Sequence, residues 1–455
     1  MLTLEIVICF LLNLVFFIGL YSSIFERENR ATFLSFGGLL ANSLFWCVLI
    51  RYHENPVGHA FGIAAVGAVC LFATISLIKY FPEDPALILP DSEFAAIEQF
   101  DERDNMFARN NLQFHSDIAA QYYERHPERL SIDERIHRKP ELGEEGGRYF
   151  KPYETAVAEA GFAMLDRTRN VSEGAAGAKK NELDLARLTK TIKRIALRYG
   201  AVDVGIASLR GYHFYSHVGR HRENWGERIE SKDRSAIVII VAMELDLVKQ
   251  APAAPAMIET ARQYVEAAKI AHVIAHYLRS FGCAARSHVD GYYQTLCVPL
   301  AAAAGLGEVG RMGILMHPVY GPCLRISAVT TELELPVEPI KRYPHIRRFC
   351  VICKKCSDNC PTGAISGDEA ESASRGCRHW SINQESCFAF WKESGTDCGF
   401  CICVCPFSKP NTLFHKLARF YVSRNPLNQQ LALWMDDLFY GRKIKLPKAN
   451  EPTLF

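Results

Sequence analysis

Three long apolar stretches open the chain. Residues 6–25, 31–50 and 56–78 contain no Asp, Glu, Lys or Arg, and each is close to the roughly 20 residues that a helix needs to cross a bilayer. A cleavable signal peptide is the alternative for the first stretch. Its apolar part is too long for that, no small-residue cleavage pattern follows it, and two more stretches come behind it. The pattern therefore predicts three transmembrane helices within residues 1–80.

The pattern changes to polar after the third stretch. Pro82, Pro85 and Pro90 mark a linker, and an acidic segment follows at 91–104. The residues after it mix short polar helices with loops punctuated by Gly and Pro. We expect residues 81–185 to form a linker and an extension that wraps around a core.

A mixed pattern of helices and strands begins at residue 186. It predicts a helix with a basic face at 186–199, which ends at Gly200. Strands are predicted at 201–209, 235–243 and 324–333. A long amphipathic helix is predicted at 259–281, where i, i+3 and i+4 steps connect Tyr264, Ala268, Ala271, Ala275 and Leu278. Helices alternating with strands indicate an α/β (α+β) core in residues 186–340.

The composition narrows the class of protein. The 455 residues are 49% hydrophobic and 22% charged, with a formal net charge of +2, which argues against wholesale disorder and against a polybasic nucleic-acid binder. We therefore expect no nucleic-acid partner. Cysteine is the unusual residue, since the chain has 16, ten of which lie between Cys350 and Cys405 inclusive. Such clustering indicates metal binding rather than a disulfide framework.

The spacing of these cysteines is that of a bacterial ferredoxin. The run that begins at Cys350 reads C-x2-C-x2-C-x3-C-P, and a second group ends in Cys405-Pro406. In such a pair the last cysteine of each group binds the cluster of the other group. A zinc ribbon also uses C-x2-C pairs, but it has no use for a repeated cysteine–proline ending. Residues 341–412 are thus predicted to bind two [4Fe–4S] clusters, one through Cys350, Cys353, Cys356 and Cys405, the other through Cys360, Cys387, Cys398 and Cys401. Cys377 and Cys403 are expected to be bystanders, although either could replace a ligand.

A glycine motif at 305–310 matches G-x-G-x-x-G. A dinucleotide site needs a strand directly before this motif and a helix after it. Here "LAAAA" precedes it and "RMGILMHP" follows, which predicts a helix, a turn and extended chain. Two interpretations stay open: a simple glycine turn, or a backbone surface against a flat cofactor.

Several segments resemble one family. "AAAAGLGEVGRMGILMHPVYGPCLRISAVTTELEL", "RRFCVICKKCSDNCPTGAIS" and "WSINQESCFAFWKESGTDCGFCICVCPFSKP" are similar to the core of the corrinoid (cobalamin) iron–sulfur reductive dehalogenases, and so is the tail "WMDDLFYG". The resemblance covers roughly residues 100–445. It implies a corrinoid-binding core like the nitroreductase fold, a bacterial-ferredoxin-like module and a C-terminal helical cap at 413–455. The three apolar stretches resemble the membrane-anchor subunit of respiratory dehalogenases.

The same resemblance implies a catalytic site. It gives Tyr264 the role of proton donor and Arg325 that of stabilising the phenolate, a pairing that suits a phenol with a pKa near 10. The residues alone favour a core tyrosine and an arginine paired with a carboxylate. Where the family often has Asn or Lys, this chain has Tyr292, with Tyr293 or His288 as substitutes, and an aromatic side chain there would suit an aromatic halide. The corrinoid contacts implied are Gly305, Gly307, Gly310, Arg311 and Tyr320.

The expected cofactors are two [4Fe–4S] clusters and cobalamin. No D-x-H-x-x-G motif occurs in the chain, which agrees with the base-off corrinoid of the family. The expected activity is reductive replacement of halogen by hydrogen in an organohalide. The expected electron donor is a membrane quinol or a reduced ferredoxin- or flavodoxin-type partner. Alternatives are an epoxyqueuosine-reductase-like enzyme acting on tRNA and a non-catalytic, membrane-bound iron–sulfur electron carrier.

The Lys and Arg residues next to the apolar stretches predict how the chain is oriented in the membrane. Arg27, Arg30 and Lys79 flank one end of the predicted helices and Arg51 flanks the other. The only adjacent arginines lie deep in the chain, at 347–348, so a twin-arginine signal is absent. These features predict an inner-membrane protein whose catalytic part is cytoplasmic.

Overall fold

The computed structural model describes residues 2–80, 97–177, 183–368, 372–374 and 377–444. They fold into two compact units, which divide the chain after Asp84, after Ser408 and after Lys443. The first unit contains the N-terminal helices and Lys409–Lys443, and the second contains the remainder. The predicted linker prolines and residues 91–96 of the acidic segment lie outside the described residues.

The helices in the described part of the chain have these bounds: α1 (Leu2–Phe25), α2 (Asn29–Arg51), α3 (Pro56–Leu77), α4 (Met106–Asn111), α5 (Ser116–Arg125), α6 (Pro127–His137), α7 (Pro152–Arg167), α8 (Leu185–Arg198), α9 (Leu245–Val248), α10 (Ala254–Ser280), α11 (Cys297–Ala303), α12 (Pro344–Cys353), α13 (Lys355–Asp358), α14 (Gln384–Ser394), α15 (Phe400–Cys403), α16 (Leu413–Val422) and α17 (Pro426–Tyr440). The strands are β1 (Asp203–Ser208), β2 (Ser235–Ala242), β3 (Ala285–His288), β4 (Glu308–Val309), β5 (Leu315–Met316), β6 (Leu324–Thr331), β7 (Ser372–Ser374) and β8 (Cys377–His379). Short 3₁₀ turns cover Glu102–Asp104, Leu112–Phe114, Thr168–Val171, Gly211–His213 and Arg222–Asn224.

Helices α1, α2 and α3 are each long and apolar enough to cross a membrane. Most of their large apolar side chains are exposed, as on helices surrounded by lipid. Where they touch, Ile8, Trp46 and Val66 share a buried cluster. The side-chain amide of Asn42 donates to that of Asn13 at 2.9 Å, so these polar groups are satisfied within the bundle. The structure thus has the three membrane-length helices that the apolar pattern predicts.

Helices α16 and α17 belong to the same unit as these three. The hydroxyls of Ser22 and Thr412 are 2.9 Å apart, and Asn428 donates to the carbonyl of Ser76 at 2.9 Å. The last described stretch of the chain therefore packs on the ends of α1 and α3.

A four-stranded antiparallel sheet forms the centre of the second unit. Its strand order is β1-β2-β6-β3, with Val204 opposite Ile239, Ile239 opposite Ser327 and Ser287 opposite Val329. The three predicted strands occur within a few residues of their expected bounds, and β3 completes the sheet. The core is thus a mixed α/β structure, as the sequence predicts.

Three helices cover the two faces of this sheet. Side chains of β2 alternate, so that Ile237 and Ile239 pack with α8 and α10 while Val238 and Ile240 pack with α11. On α10 the predicted inward positions are buried in that first cluster: Ala268, Ala271, Ala275 and Leu278. Tyr264 lies at the edge of the same cluster, one turn nearer the start of the helix.

The N-terminal extension packs against both the core and the cysteine-rich region. Helix α7 lies on α10, where Ala158 contacts Met257 and Ala261. The fully buried guanidinium of Arg109 pairs with Asp133 and with Glu385 of α14, at 2.7 Å in each case. Buried charges of this kind are stable only when paired, so this contact fixes the extension to the helix that carries Cys387.

Candidate functional site

Short helical turns carry the cysteines of the ferredoxin-like pattern. Cys350 and Cys353 end helix α12, and Cys356 lies on α13. Lys354 separates these helices with a left-handed φ of 56°. In the second group Cys387 lies on α14 and Cys401 on α15, which begins after Gly399 at φ 66°. These positive φ angles turn the backbone sharply between successive cysteines.

The structure brings the cysteines together across the two groups. Cys405 interacts electrostatically with Cys350, Cys353 and Cys356, although it belongs to the second group in sequence. Cys360 belongs to the first group, yet it interacts with Cys387 and Cys398. The side chain of Cys401 interacts with Cys398 and Cys387, and also with Cys356. This is the exchange of last ligands that a pair of cubanes requires.

Burial raises the pKa values of these thiols, so that their thiolate forms are favourable only when a metal binds them. It raises the pKa of Cys353, Cys356 and Cys398 to about 12 and that of Cys387 to about 11. A buried thiolate is stable only beside a compensating cation. The donor set therefore fits iron–sulfur clusters.

Cys403 has a different environment from its neighbours. Its thiol donates to the carbonyl of Val248 at 2.9 Å and packs near Met243 and Cys323. That contact supports a structural role for Cys403. The side chain of Cys377 lies outside the described residues.

Tyr264 and Arg325 are neighbours in the structure. The guanidinium carbon of Arg325 lies 5.0 Å from the centre of the Tyr264 ring. Helix α10 and the start of β6 hold the two residues in place, because α10 packs on the sheet beside that strand. The Tyr264 hydroxyl has no hydrogen-bond partner among the described residues, which leaves it available to a ligand.

A threonine and a carboxylate complete the contacts of Arg325. Its Nη2 donates to Thr260 Oγ1 at 2.8 Å, and Thr260 in turn donates to Asp397 Oδ2 at 2.5 Å. The Arg325–Asp397 distance is 3.6 Å. Yet Arg325 Nε and Asp397 Oδ1 are buried and have no hydrogen-bond partner among the residues that the structure describes. Unpartnered buried polar atoms are costly, so a polar ligand is the natural complement of this site.

Among the acidic residues, Asp290 has the largest electrostatic effect on the pKa of Tyr264. Burial raises the pKa of the Asp290 carboxyl, against the opposing influence of Arg220 and Arg325. Burial also raises the pKa of Tyr264 to about 12, Arg325 opposes the rise, and Asp290 adds to it. Both side chains are densely surrounded by protein but keep part of their surface accessible.

Tyr292 contacts Arg286 and His221. Its ring is 4.5 Å from the guanidinium of Arg286 and 5.3 Å from the ring of His221. Tyr293 is closer to Tyr264 electrostatically, but its hydroxyl donates to the Ile326 carbonyl at 3.0 Å. His288 is buried and bonded to Thr330 at 3.0 Å. Asp290 and Tyr293 thus both interact electrostatically with Tyr264, and a role for Tyr292 as the third polar group stays a prediction.

The glycine motif forms part of a β-hairpin. Helix α11 precedes the motif, β4 lies within it and β5 follows, so the strand before and the helix after that a dinucleotide site needs are both missing among the described residues. A Cβ on Gly307 would lie 2.4 Å from the Met316 carbonyl oxygen, and one on Gly310 would lie 2.6 Å from the Met316 side chain. Gly305 has φ 73° and faces the Lys341 backbone. Close packing of the hairpin thus explains these glycines.

Arg311 holds the first cysteine turn in place. Its fully buried guanidinium donates to the carbonyls of Cys350 at 3.1 Å, Ser366 at 2.9 Å and Asp368 at 2.6 Å. It also lies 4.9 Å from the centre of the Trp380 ring. The guanidinium of Arg311 is therefore occupied by backbone contacts.

A cavity of about 380 Å³ opens next to this arginine. Gly310, Gly313 and Trp380 are among its lining residues, and the indole N–H of Trp380 is buried without a partner. Tyr320 lies elsewhere, with its ring 5.3 Å from that of His317. Of the residues expected at the corrinoid, Gly310 is thus the one that lines this cavity.

Sequence reasoning did not find Thr260, Asp290 and Asp397. Thr260 lies one helical turn before Tyr264, and Asp290 stands two residues before Tyr292 in "DGYYQ". Asp397 directly precedes Cys398. A polar residue one turn from a candidate catalytic tyrosine is the one signal that was present.

The chain is similar in sequence to known iron–sulfur proteins and reductive dehalogenases. A model of the 4Fe-4S dicluster domain matches residues 349–409. The tetrachloroethene reductive dehalogenase of Desulfitobacterium hafniense is 30% identical over 246 residues, which are 50% of this chain and 42% of that protein. The enzyme of the same name from Sulfurospirillum multivorans is 33% identical over 217 residues, 46% of this chain and 42% of that one. The chain thus spans less than half the length of these relatives.

Solved structures agree on the fold. A catabolic reductive dehalogenase in complex with 3-bromo-4-hydroxybenzoic acid superposes with a TM-score of 0.62 at 23% identity, over 81% of this chain and 49% of that chain. A reductive dehalogenase whose structure suggests a mechanism for B12-dependent dehalogenation gives 0.61 at 22% identity, with the same coverage. The chain is accordingly a homologue of the reductive dehalogenases, with their fold and with a 4Fe-4S dicluster domain.

Proposed function

We propose that this protein is a membrane-anchored, corrinoid-dependent reductive dehalogenase with two [4Fe–4S] clusters. The observation that carries the proposal is the site around Tyr264. A phenol hydroxyl without a partner among the described residues, a guanidinium 5.0 Å from the centre of its ring and a nearby unpartnered carboxylate oxygen occur together in a chain that also holds a dicluster domain. An electron carrier alone has no use for a proton donor of this kind.

The reaction replaces a carbon–halogen bond by a carbon–hydrogen bond. It consumes two electrons and one proton and releases halide. A bound corrinoid supplies the cobalt centre at which the carbon–halogen bond is reduced. The proposed cluster ligands are Cys350, Cys353, Cys356 and Cys405 for one cubane, and Cys360, Cys387, Cys398 and Cys401 for the other.

The role proposed for Tyr264 is proton delivery. Its hydroxyl gives a proton to the substrate carbon, which leaves a phenolate beside Arg325. Because the guanidinium never loses its charge at physiological pH, it stabilises that phenolate. Thr260 and Asp397 hold the guanidinium over the ring.

The cavity beside Arg311 is the proposed contact region of the corrinoid, and the base-off form remains the expectation from the sequence. Gly310 and Gly313 line the cavity, and the Trp380 N–H offers a donor to a polar group of the cofactor. Gly305, Gly307 and Tyr320 remain candidates for its periphery. Arg311 would act through the cysteine turn that it holds.

The substrate proposed is an organohalide, with aromatic halides as the first class to test. The named relatives act on chlorinated ethenes, whereas one structural relative was solved with a brominated hydroxybenzoic acid. Asp290 disfavours a substrate carboxylate next to Tyr264 while the Asp290 carboxyl is ionised, because two like charges would then be buried together. Neutral halophenols and chloroethenes are therefore better candidates than halobenzoates.

The membrane supplies the remaining partners. Helices α1, α2 and α3 would anchor the chain, and a quinol or a reduced ferredoxin- or flavodoxin-type protein would supply electrons. The charge count around the helices supports a cytoplasmic catalytic part. A reporter fused after Phe455 should then be active as a cytoplasmic fusion, and strong periplasmic alkaline phosphatase activity there would contradict this orientation.

Halide release by the purified protein tests the proposal. The full chain, purified without oxygen and supplied with cobalamin, is mixed with reduced methyl viologen and a panel of halophenols, halobenzoates and chloroethenes. Halide should appear with at least one neutral substrate and should require both cobalamin and Tyr264. A fully loaded protein that releases no halide from any of them would contradict the proposal.

A further inference from the structure

Helix α16 lies across one end of the membrane-helix bundle. The hydroxyl of Thr412, which caps the start of α16, is 2.9 Å from that of Ser22, near the end of α1. Just beyond the other end of α16, the guanidinium of Arg424 donates to the Leu77 carbonyl at 2.8 Å. These contacts place the two ends of α16 at the C-terminal ends of α1 and α3.

Further contacts fix this placement. The ring of Phe414 packs on Gly19, where an added Cβ would come within 3.3 Å. The side-chain amide of Asn425 donates to the Ile75 and Ile78 carbonyls, both at 3.1 Å. Since α1 and α3 run in the same direction, their C-terminal ends lie on one side of the membrane. Helix α16 therefore lies close to the plane of that membrane surface rather than along the bundle.

One side of α16 is apolar and uncovered. Leu413, Leu417 and Phe420 are 58%, 47% and 50% exposed, and their spacing of four and three residues puts them on one side of the helix. His415 and Val422 are buried on the side that packs within the unit. Lys416 and Arg419 lie on a third side. Bundle, apolar stripe and charges thus occupy separate sides, as on a helix at a membrane surface.

Helix α17 continues the apolar surface. Leu427 and Trp434, seven residues apart on one side, are 53% and 61% exposed. Phe25 and Tyr80, at the ends of the membrane helices, are also exposed. Exposed Trp and Tyr are typical of the level of the lipid headgroups. Exposed apolar and aromatic side chains thus occur on α16, on α17 and at the ends of the membrane helices within this one unit.

We propose that α16 and α17 lie on the bilayer surface and insert Leu413, Leu417, Phe420 and Trp434 between lipid headgroups and acyl chains. This inference rests on the proposed anchoring through α1, α2 and α3, and adds a lipid-binding surface to it. In the sequence, six residues separate Thr412, at the start of this surface, from the proposed cluster ligand Cys405.

Site-specific photocrosslinking tests the inference. The photoreactive amino acid p-benzoylphenylalanine replaces Leu417 in the full chain, which is reconstituted in vesicles of phosphatidylethanolamine and phosphatidylglycerol. The same replacement at Arg419 is the matched control, because two residues place it about 200° around the helix. Replacement at Phe17, exposed in the middle of α1, tests the anchoring itself. Lipid adducts are counted by mass spectrometry.

Position 417 should give lipid adducts within about threefold of position 17 and at least about tenfold above position 419. Adducts at 17 but no more at 417 than at 419 would overturn the surface assignment while leaving the anchoring intact. Adducts at 417 to a second copy of the chain would show a dimer interface instead and would also overturn it. Absence of lipid adducts at 17 would remove the anchoring on which the inference rests. Replacement at Phe420 repeats the test at an independent position.

Discussion

A comparison of Tyr264 with the nearby Tyr293 allows a catalytic role of Tyr264 to be distinguished from a structural one. The Tyr264 hydroxyl has no partner among the described residues, whereas the Tyr293 hydroxyl donates to the Ile326 carbonyl at 3.0 Å. Tyr264→Phe should therefore leave the free energy of unfolding nearly unchanged. Its rate of halide release should fall about 10²- to 10⁴-fold, the contribution typical of a positioned proton donor.

Tyr293→Phe should behave in the opposite way. It removes a hydrogen bond that contributes about 0.5–1.5 kcal/mol, which for a domain of this size lowers the melting temperature by about 2–4 °C per kcal/mol. Its halide release should stay within a few-fold of the wild type.

The assay compares halide release and melting temperature in proteins of equal iron and cobalt content. If Tyr264→Phe kept full activity with intact cofactors, Tyr264 would not be the proton donor. Equal loss of activity in both variants would mean that the loop geometry, and not the phenol, had been disturbed.

The remaining predictions concern the groups around these tyrosines and the clusters. Arg325→Gln removes a positive charge 5.0 Å from the centre of the Tyr264 ring. The interaction of that charge with a phenolate is worth about 3 kcal/mol at the effective dielectric of such sites, so activity should fall roughly a hundredfold. Arg325→Lys should retain part of the activity, and equal loss in both variants would exclude the charge as the cause. Asp290→Asn removes a group that raises the pKa of Tyr264, so the loss of activity as the phenol deprotonates should move to lower pH, and an unchanged pH profile would exclude the contact. Arg311→Gln should lower iron content, because three backbone carbonyls near Cys350 lose their donor; normal iron would contradict this role. Cys401→Ser should lose about half of the iron and Cys403→Ser should lose none, as measured by iron analysis, and the reverse result would exchange their roles.

The sequence predicts the elements whose signals are local. The apolar stretches, the ferredoxin spacing and the long helix with Ala268, Ala271 and Ala275 facing inward all follow from patterns within about 25 residues. Because the sheet buries one side of the long helix, its apolar positions repeat at a helical spacing that can be recognised without a structure.

The remaining features depend on contacts between distant segments. Ser22 and Thr412 are 390 residues apart in sequence, and no local pattern indicates that the tail packs with the membrane helices. Asp290 and Tyr292 differ by two positions on a loop, so their orientation depends on how the chain leaves β3. Arg311 looks like an ordinary charged residue after a glycine turn, and only the fold brings the Cys350 carbonyl to its guanidinium.

The iron and cobalt content of the full chain, purified without oxygen in detergent from a cobalamin-supplied host, tests the central claim most directly. The account predicts about eight iron for two cubanes and about one cobalt per chain, together with the absorption spectrum of a base-off corrinoid. About eight iron without cobalt, even after reconstitution with cobalamin, would contradict a corrinoid-dependent dehalogenase and would make the protein a membrane-bound electron carrier.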